Sequence, residues 1–248
     1  MDAVLGAFAV LPGLAVGSFL NVVAARVPLR RSIVSPGSAC MTCETPIAWY
    51  DNVPVLSYLL LSGRCRSCGA RIGLISPAVE LVTAGLLAGC LAAFGLTLRA
   101  AAAAIFCSAL VVVTGTDLTH RVVPNRVVLP ATVLVLGLMT ADDPSPEWAI
   151  AGAGAFLFMF VAALAYPSGL GMGDVKLAFL MGAALGGTVP VALFVGMIAA
   201  LVPAVFLLIR HGSKARKMAI PFAPFLALGS VVALFAGDAL VDAYLNVF

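Results

Sequence analysis

Long apolar runs separated by short polar breaks fill most of this chain, and run length gives the first reading. A membrane-crossing helix needs about 20 mostly apolar residues. Runs near that length fall at 3–25, 77–98, 100–116, 126–141, 148–167, 175–189, 190–209 and 222–246. The fourth and sixth are short, and Pro190 separates the sixth from the seventh. The pattern predicts an all-α polytopic membrane protein with about eight transmembrane helices. One long polar interruption lies between the first and second. The expected organisation is therefore a first transmembrane helix over 1–25, a small cytosolic insert over 26–76, and a helix bundle over 77–248.

Composition agrees with this pattern. Of the 248 residues, 62% are hydrophobic and 10% charged, against about 25% charged in soluble domains; mean hydropathy is +1.14. The net charge of +3 comes from basic residues scattered among apolar runs, not from a stripe on one face. Nucleic acid is thus not an expected partner, whereas membrane lipid is. A signal peptide would carry basic residues ahead of its apolar core. Here only Asp2 precedes the first run, and Arg26, Arg30 and Arg31 follow it. The first run is read as a retained span with its N-terminus outside.

Charge then orients the chain. Loops 26–76, 117–126, 168–176 and 210–221 hold thirteen of the fourteen Lys and Arg residues, with Arg99 the exception. The outer loop "ADDPSPEW" is acidic. By the positive-inside rule those four loops face the cytosol. Losing one span would invert every later loop, so the asymmetry also supports the count of eight. An even number of crossings returns the chain to the same face, which brings the cysteine-rich insert, Asp117 and Asp174 to the cytosolic side.

The insert carries "CMTC" (Cys40, Cys43) and "CRSC" (Cys65, Cys68), with 21 residues between the pairs. Two C-x-x-C knuckles supply four thiolates, the donor set of closed, tetrahedral structural zinc, although the spacer exceeds the usual window. A cytosolic location disfavours disulfides. A metal would hold together an insert too small for a core of its own. Cys90 and Cys107 lie inside apolar runs and are read as small buried hydrophobes.

"TGTDLTHRVVPN" puts Asp117 at the cytosolic end of the third span, and "GLGMGDVKL" puts Asp174 at the start of the sixth. Asp174 could be a first-turn acid favoured by the helix dipole. Asp117, at a helix C-terminus, faces the wrong end of that dipole, so a capping role explains it poorly. As a pair, two carboxyl groups around one water can hydrolyse a peptide without a metal or a covalent intermediate. Gly171 and Gly173 would let backbone approach a substrate closely. The two histidines, His120 and His211, have no evident nucleophilic partner. His120 is placed at the wet interface, Glu80 at a solvated helix end, and Lys176 as an interface anchor. A non-enzymatic transporter or assembly scaffold is the other class. A transporter, however, favours polar groups near the bilayer midplane in repeated halves, and no such repeat is visible.

Five ordered motifs resemble one family, the type IV prepilin leader peptidases: "GSFLNVVAARVP" (17–28), "WYDNVPVLSYLLLSGRCRSCGARI" (49–72), "DLTHRVVPN" (117–125), "GMGDVKL" (171–177) and "IPFAPFLALG" (220–229). "GxGD" by itself would also fit presenilin-like intramembrane proteases. The resemblance implies an aspartic peptidase of the bacterial inner membrane. Such an enzyme cleaves the basic leader from prepilin or pseudopilin precursors at the cytosolic face, with Asp117 and Asp174 as the catalytic pair. Many members also N-methylate the new terminal residue with S-adenosylmethionine, an activity that goes with the cysteine-bearing N-terminal region. This chain departs from the family at Asp117-Leu118-Thr119, where many members have Asp-x-Asp, and at "PFAPF" in place of "PFGPF".

Overall fold

The computed structural model describes residues 2–166, 169–212 and 220–246, with side chains from residue 7 onward. Lys214, Arg216 and Lys217, which helped to orient the loop 210–221, lie outside the described residues, as does the start of the loop 168–176. Regular structure among the described residues is helical, and pairing between extended segments is limited to two isolated bridges. The chain forms two compact units, residues 1–95 and 96–248.

The first unit contains α1 (Asp2–Arg26), a 3-10 turn (Trp49–Asn52), a short α2 (Leu56–Leu60) and α3 (Ile75–Phe94). Helices α1 and α3 pack antiparallel along small residues. A Cβ on Gly13 would sit 2.7 Å from the Ala84 Cα, and one on Gly17 would sit 2.7 Å from the Glu80 Cα. Glycines four apart share one helix face, and in a membrane such small-residue faces let backbones approach closely. One turn further on, the Asn21 Nδ2 donates to the Ser76 carbonyl at 3.1 Å and its hydroxyl at 3.2 Å. This fixes the register where the insert begins and ends.

The second unit contains α4 (Leu98–His120), α5 (Asn125–Asp142), α6 (Glu147–Ala165), α7 (Met172–Leu185), a 3-10 turn (Gly186–Thr188), α8 (Val189–His211) and α9 (Ala223–Leu245). Seven helical stretches among the described residues are long and apolar enough to cross a membrane. One of them, Met172–His211, covers 40 residues, about 60 Å by helical rise and twice the thickness of a hydrocarbon core. The 3-10 turn breaks that stretch into α7 and α8, the two runs expected on either side of Pro190. Glu147 secures the break by accepting from the Gly187 N–H at 2.8 Å.

Helix α7 is only 14 residues long, about 21 Å, too short for a lipid-facing span. Its neighbours are α4, α5, α6 and α9. Val175, Leu177, Ala178, Leu180, Met181 and Ala183 have no exposed surface. Protein surrounds it, so the bilayer thickness does not set its length. Helix α8 instead pairs antiparallel with α9: Gly196 packs on the Phe225 carbonyl and Gly237 on Thr188. In that register residues 201–211 continue beyond the start of α9, by about 16 Å.

Another close contact in this unit joins α6 and α7, where a Cβ on Gly182 would overlap the Ala151 carbonyl. Gly182→Ala is expected to push these helices apart and cost about 1–3 kcal/mol, as overpacking does in a filled core. Thermal unfolding of the purified protein should show a clear fall in midpoint; an unchanged midpoint would mean that α6 can shift freely.

Candidate active site and metal centre

Asp117 owes its position to the way α4 ends. Arg121 adopts the left-handed conformation (φ 54, ψ 41), and its N–H donates to the Asp117 carbonyl, which closes the last turn in the manner of an αL cap. Pro124 then starts α5. The Asp117 side chain is buried, and its Oδ2 accepts from the Ala223 N–H at the first residue of α9, at 3.0 Å. This acid at the end of one helix thus serves the start of another. Free N–H groups and the positive dipole end of α9 favour a carboxylate there.

Asp174 lies in the first turn of α7, with relative exposure of 9%. Its Oδ2 accepts a long 3.4 Å bond from the Gly171 N–H, a reach back toward the cap. The capping role and burial in the unit's interior therefore coexist. A Cβ on Gly173 would stand 2.7 Å from the Val123 Cβ, so the missing side chain lets α7 close on the α4–α5 turn. The Lys176 Nζ donates to the Asn125 Oδ1 at 3.0 Å, tying the starts of α7 and α5 together. Lys176 thus links two helices as well as lying at the exposed end that the sequence indicated. The two carboxyl groups lie near enough to act on each other electrostatically. Neither has an ion-pair partner within 4.0 Å among the described residues. His120 is exposed, as expected.

In the first unit, two knuckles of the same build bring the four cysteines together. In the first, the Cys40 N–H donates to the Thr45 carbonyl and the Glu44 N–H to the Cys40 carbonyl. In the second, the Cys65 N–H donates to the Ala70 carbonyl and the Gly69 N–H to the Cys65 carbonyl. One bridge closes each loop, Ala39 to Pro46 and Arg64 to Arg71. All four sulfurs lie within 4.8 Å of one another, and no disulfide joins them. Cys40–Cys68 and Cys43–Cys65 stand 3.8 and 4.0 Å apart. A tetrahedron with metal–sulfur bonds of about 2.3 Å has edges of about 3.8 Å, so the residues fit a four-thiolate metal ion.

Charge supports the same reading. The N–H groups of Cys43 and Thr42 draw the Cys40 thiol down to about 6. At Cys68 the Ala70 N–H pulls downward, but the neighbouring sulfurs and burial outweigh it and push the thiol up to about 12. Four crowded thiols do not all ionise unless a cation joins them.

The knuckles require a left-handed residue after the second cysteine. Glu44 takes that conformation in the first (φ 57) and Gly69 in the second (φ 70). Gly69→Val is expected to cost about 1–2 kcal/mol through its branched Cβ at positive φ. The readout is competition with a chelator, which should strip metal from the variant at a lower chelator concentration than from the parent.

Glu80 departs from its expected place at a solvated helix end. It is buried, and its Oε2 accepts from the Val55 N–H at 2.8 Å. Val55 has φ 59 and ψ −47, and the Leu56 N–H turns back to the Pro54 carbonyl. This is a strained γ-turn at a β-branched residue. Glu80 holds it in place and ties the polar insert to α3. The one sequence signal was an acid one turn and a half inside an apolar run.

The helical membrane architecture, the buried acid pair and the tetracysteine cluster together fit a membrane-embedded enzyme whose insert could hold a metal ion. Two family models match. The Bacterial Peptidase A24 N-terminal domain covers residues 11–94 and the Type IV leader peptidase family covers residues 104–207, one in each compact unit. A Bacillus subtilis protein named prepilin leader peptidase/N-methyltransferase is 36% identical over 239 residues, 94% of this chain and 95% of the relative. One of the same name from Pseudomonas aeruginosa is 33% identical over 270 residues, 96% of this chain and 92% of the relative. A Myxococcus xanthus relative reaches 46% over 126 residues, 51% of this chain and 38% of its own length. No solved structure matches. The chain belongs to the prepilin leader peptidase/N-methyltransferase family, which bears out the resemblance drawn from its five motifs.

Proposed function

We propose that this protein is an aspartic endopeptidase of the bacterial inner membrane. It removes the basic leader from type IV prepilin-like precursors at the cytosolic face, with Asp117 and Asp174 as the catalytic pair. The observation that carries this reading is the burial of both carboxyl groups where α4 ends and α7 and α9 begin. Family membership sets aside the transporter and scaffold readings.

The chemistry follows from two carboxyl groups that act on each other electrostatically, so that ionisation of one favours the protonated form of the other. The ionised acid takes a proton from a water molecule as its oxygen bonds to the scissile carbonyl carbon. The protonated acid donates to the carbonyl oxygen and stabilises the tetrahedral intermediate. The first acid then passes its proton to the leaving nitrogen as the C–N bond breaks, and the second acid recovers its own proton as the carbonyl re-forms. The Ala223 N–H holds the Asp117 carboxyl in one orientation, so no ordering is needed at the moment of reaction. The apolar walls of α7 keep bulk water away.

The four cysteines would hold a structural zinc ion, and four thiolates complete the donor set that such a site needs. Family membership also supports a second activity, N-methylation of the residue exposed by cleavage. S-Adenosylmethionine would supply an electrophilic methyl group for that step. A purified precursor, incubated with the protein with and without S-adenosylmethionine and weighed intact, tests both activities. Cleavage is expected as a mass loss equal to the leader, and methylation as a further 14 Da (roughly one CH₂) only with the cofactor. An intact precursor would overturn the peptidase reading.

A further inference from the structure

Helix α2 (Leu56–Leu60) is built the opposite way round from a helix that faces water. Its small polar side chain, Ser57, is buried: the hydroxyl donates to the Tyr50 carbonyl at 3.0 Å and accepts from the Val53 N–H at 3.1 Å. Leu56, Leu59 and Leu60 are exposed, the last two to 65% and 74%. A single exposed leucine is ordinary. Three on a five-residue helix whose hydroxyl turns inward make an apolar face.

The position of α2 beside α3 decides what that face meets. Both ends of the segment are tied to the stretch by which α3 enters its apolar span. At the front, the Val55 N–H donates to the Glu80 Oε2 at 2.8 Å. Glu80 lies five residues beyond Ile75, where α3 and its apolar stretch begin, and that is about 7.5 Å along the helix. At the back, the Gly63 carbonyl accepts from the Ile72 N–H at 2.7 Å, and the Arg64–Arg71 bridge follows. Ile72 precedes α3 by three residues. Helix α2 therefore lies along the boundary of a membrane-crossing helix, from just inside it to just outside. Interfacial helices bury their apolar faces about 5–10 Å into the headgroup and acyl boundary, the depth that the Glu80 bond sets.

Charge at the rim is complementary to lipid phosphate. Arg64 and Arg71 are exposed where the chain leaves α2, and residues 26–76 hold six arginines against Glu44 and Asp51. A divalent ion on four thiolates would add about −2 and leave the insert positive. Trp49 and Tyr50, residue types that gather at membrane interfaces, are exposed in the turn that Ser57 holds.

We propose that α2 is an interfacial anchor, a further membrane contact of this unit, seated in an anionic phospholipid surface beside α3. Leu56, Leu59 and Leu60 enter the acyl boundary, and Arg64 and Arg71 meet headgroup phosphates. A protein partner would have to displace lipid at that depth, so lipid is the occupant. The insert is then held against the bilayer, which confines both cysteine knuckles to the membrane surface. This assignment needs neither the cleavage nor the methylation reading.

The test uses the full-length, metal-loaded protein in vesicles of phosphatidylglycerol and phosphatidylethanolamine. The probe is a phosphatidylglycerol with a photoactivatable diazirine near the ester end of its acyl chain. After illumination, peptide mapping should find lipid adducts on residues 53–63 as well as on α1 and α3, which serve as the internal standard. Adducts on α1 and α3 with none on 53–63 would overturn the anchor. Arg64→Gln with Arg71→Gln should lower the yield on 53–63 about fivefold or more relative to α3, since each basic residue near an anionic surface is worth about that factor. An unchanged yield would overturn the headgroup contacts. Depth is measured with Leu59→Trp in a background of Trp49→Phe and Trp148→Phe. Its fluorescence should be quenched by lipids brominated near the ester end and shielded from aqueous acrylamide. Quenching by acrylamide as strong as that of free tryptophan would overturn the anchor. Quenching by neither reagent would assign the face to a protein neighbour and overturn it too. The labelling of the parent protein decides the matter even where a variant loses its metal.

Discussion

Asp117→Asn and Asp174→Asn are each expected to abolish leader cleavage, reducing turnover by about three orders of magnitude or more, the range for loss of a positioned acid or base. The substitution separates chemistry from architecture at these two positions. Asparagine keeps an oxygen that can accept from the Ala223 N–H, so the link from α4 to the start of α9 can survive in Asp117→Asn. The bond from Gly171 to Asp174 is long at 3.4 Å and contributes little, since even a well-formed hydrogen bond contributes only about 1 kcal/mol net. Neither variant can take a proton from water at the altered position. Intact-mass measurement of a precursor, together with thermal unfolding of each variant, checks both halves of the expectation. Full cleavage by either single variant would overturn the dyad. A collapse in stability would instead assign the acids to the fold.

That the two acids come near each other was legible from sequence, because parity and charge asymmetry predict one face for two distant motifs without any contact information. The cysteine centre was legible because each knuckle is local: a C-x-x-C loop closes on itself, and two such loops have little else to do. The roles that could not be read depend on partners far along the chain. Asp117 serves a helix that begins 106 residues later, and no local pattern announces that donor. Glu80 resembles a helix-end acid because hydropathy does not record the Val55 N–H, 25 residues away, that it satisfies. Helix α7 exposes a further limit. Apolar residues read the same whether they face lipid or protein, so hydropathy could not show that this short run is walled by the other helices of its unit. The packing of α1 on α3 through Gly13 and Gly17 rests on spacing within one apolar run, where hydropathy is silent.

Removal of the metal, by a chelator or by Cys40→Ser, is expected to disable methylation at least tenfold more than cleavage; ligand and supporting-shell losses typically cost about 10–100-fold. Between the two knuckles little regular structure holds the insert together. Its exposed surface includes Met41 (99%) and Trp49 (82%), and its regular structure amounts to one short helix, one 3-10 turn and two isolated bridges. The sulfurs repel one another as they ionise, so loss of the central cation favours opening of both knuckles at once. Asp117 and Asp174 belong to a separate compact unit with its own core, in which Phe106, Leu110, Leu177 and Leu226 are buried. That core does not depend on the thiols. Hydrogen exchange should therefore rise between residues 38 and 73, while α4, α7 and α9 keep their protection. Precursor mass should still fall by the leader but no longer rise by a methyl group. Equal loss of both activities, with exchange rising through α4 and α7, would instead show that the insert supports the whole molecule.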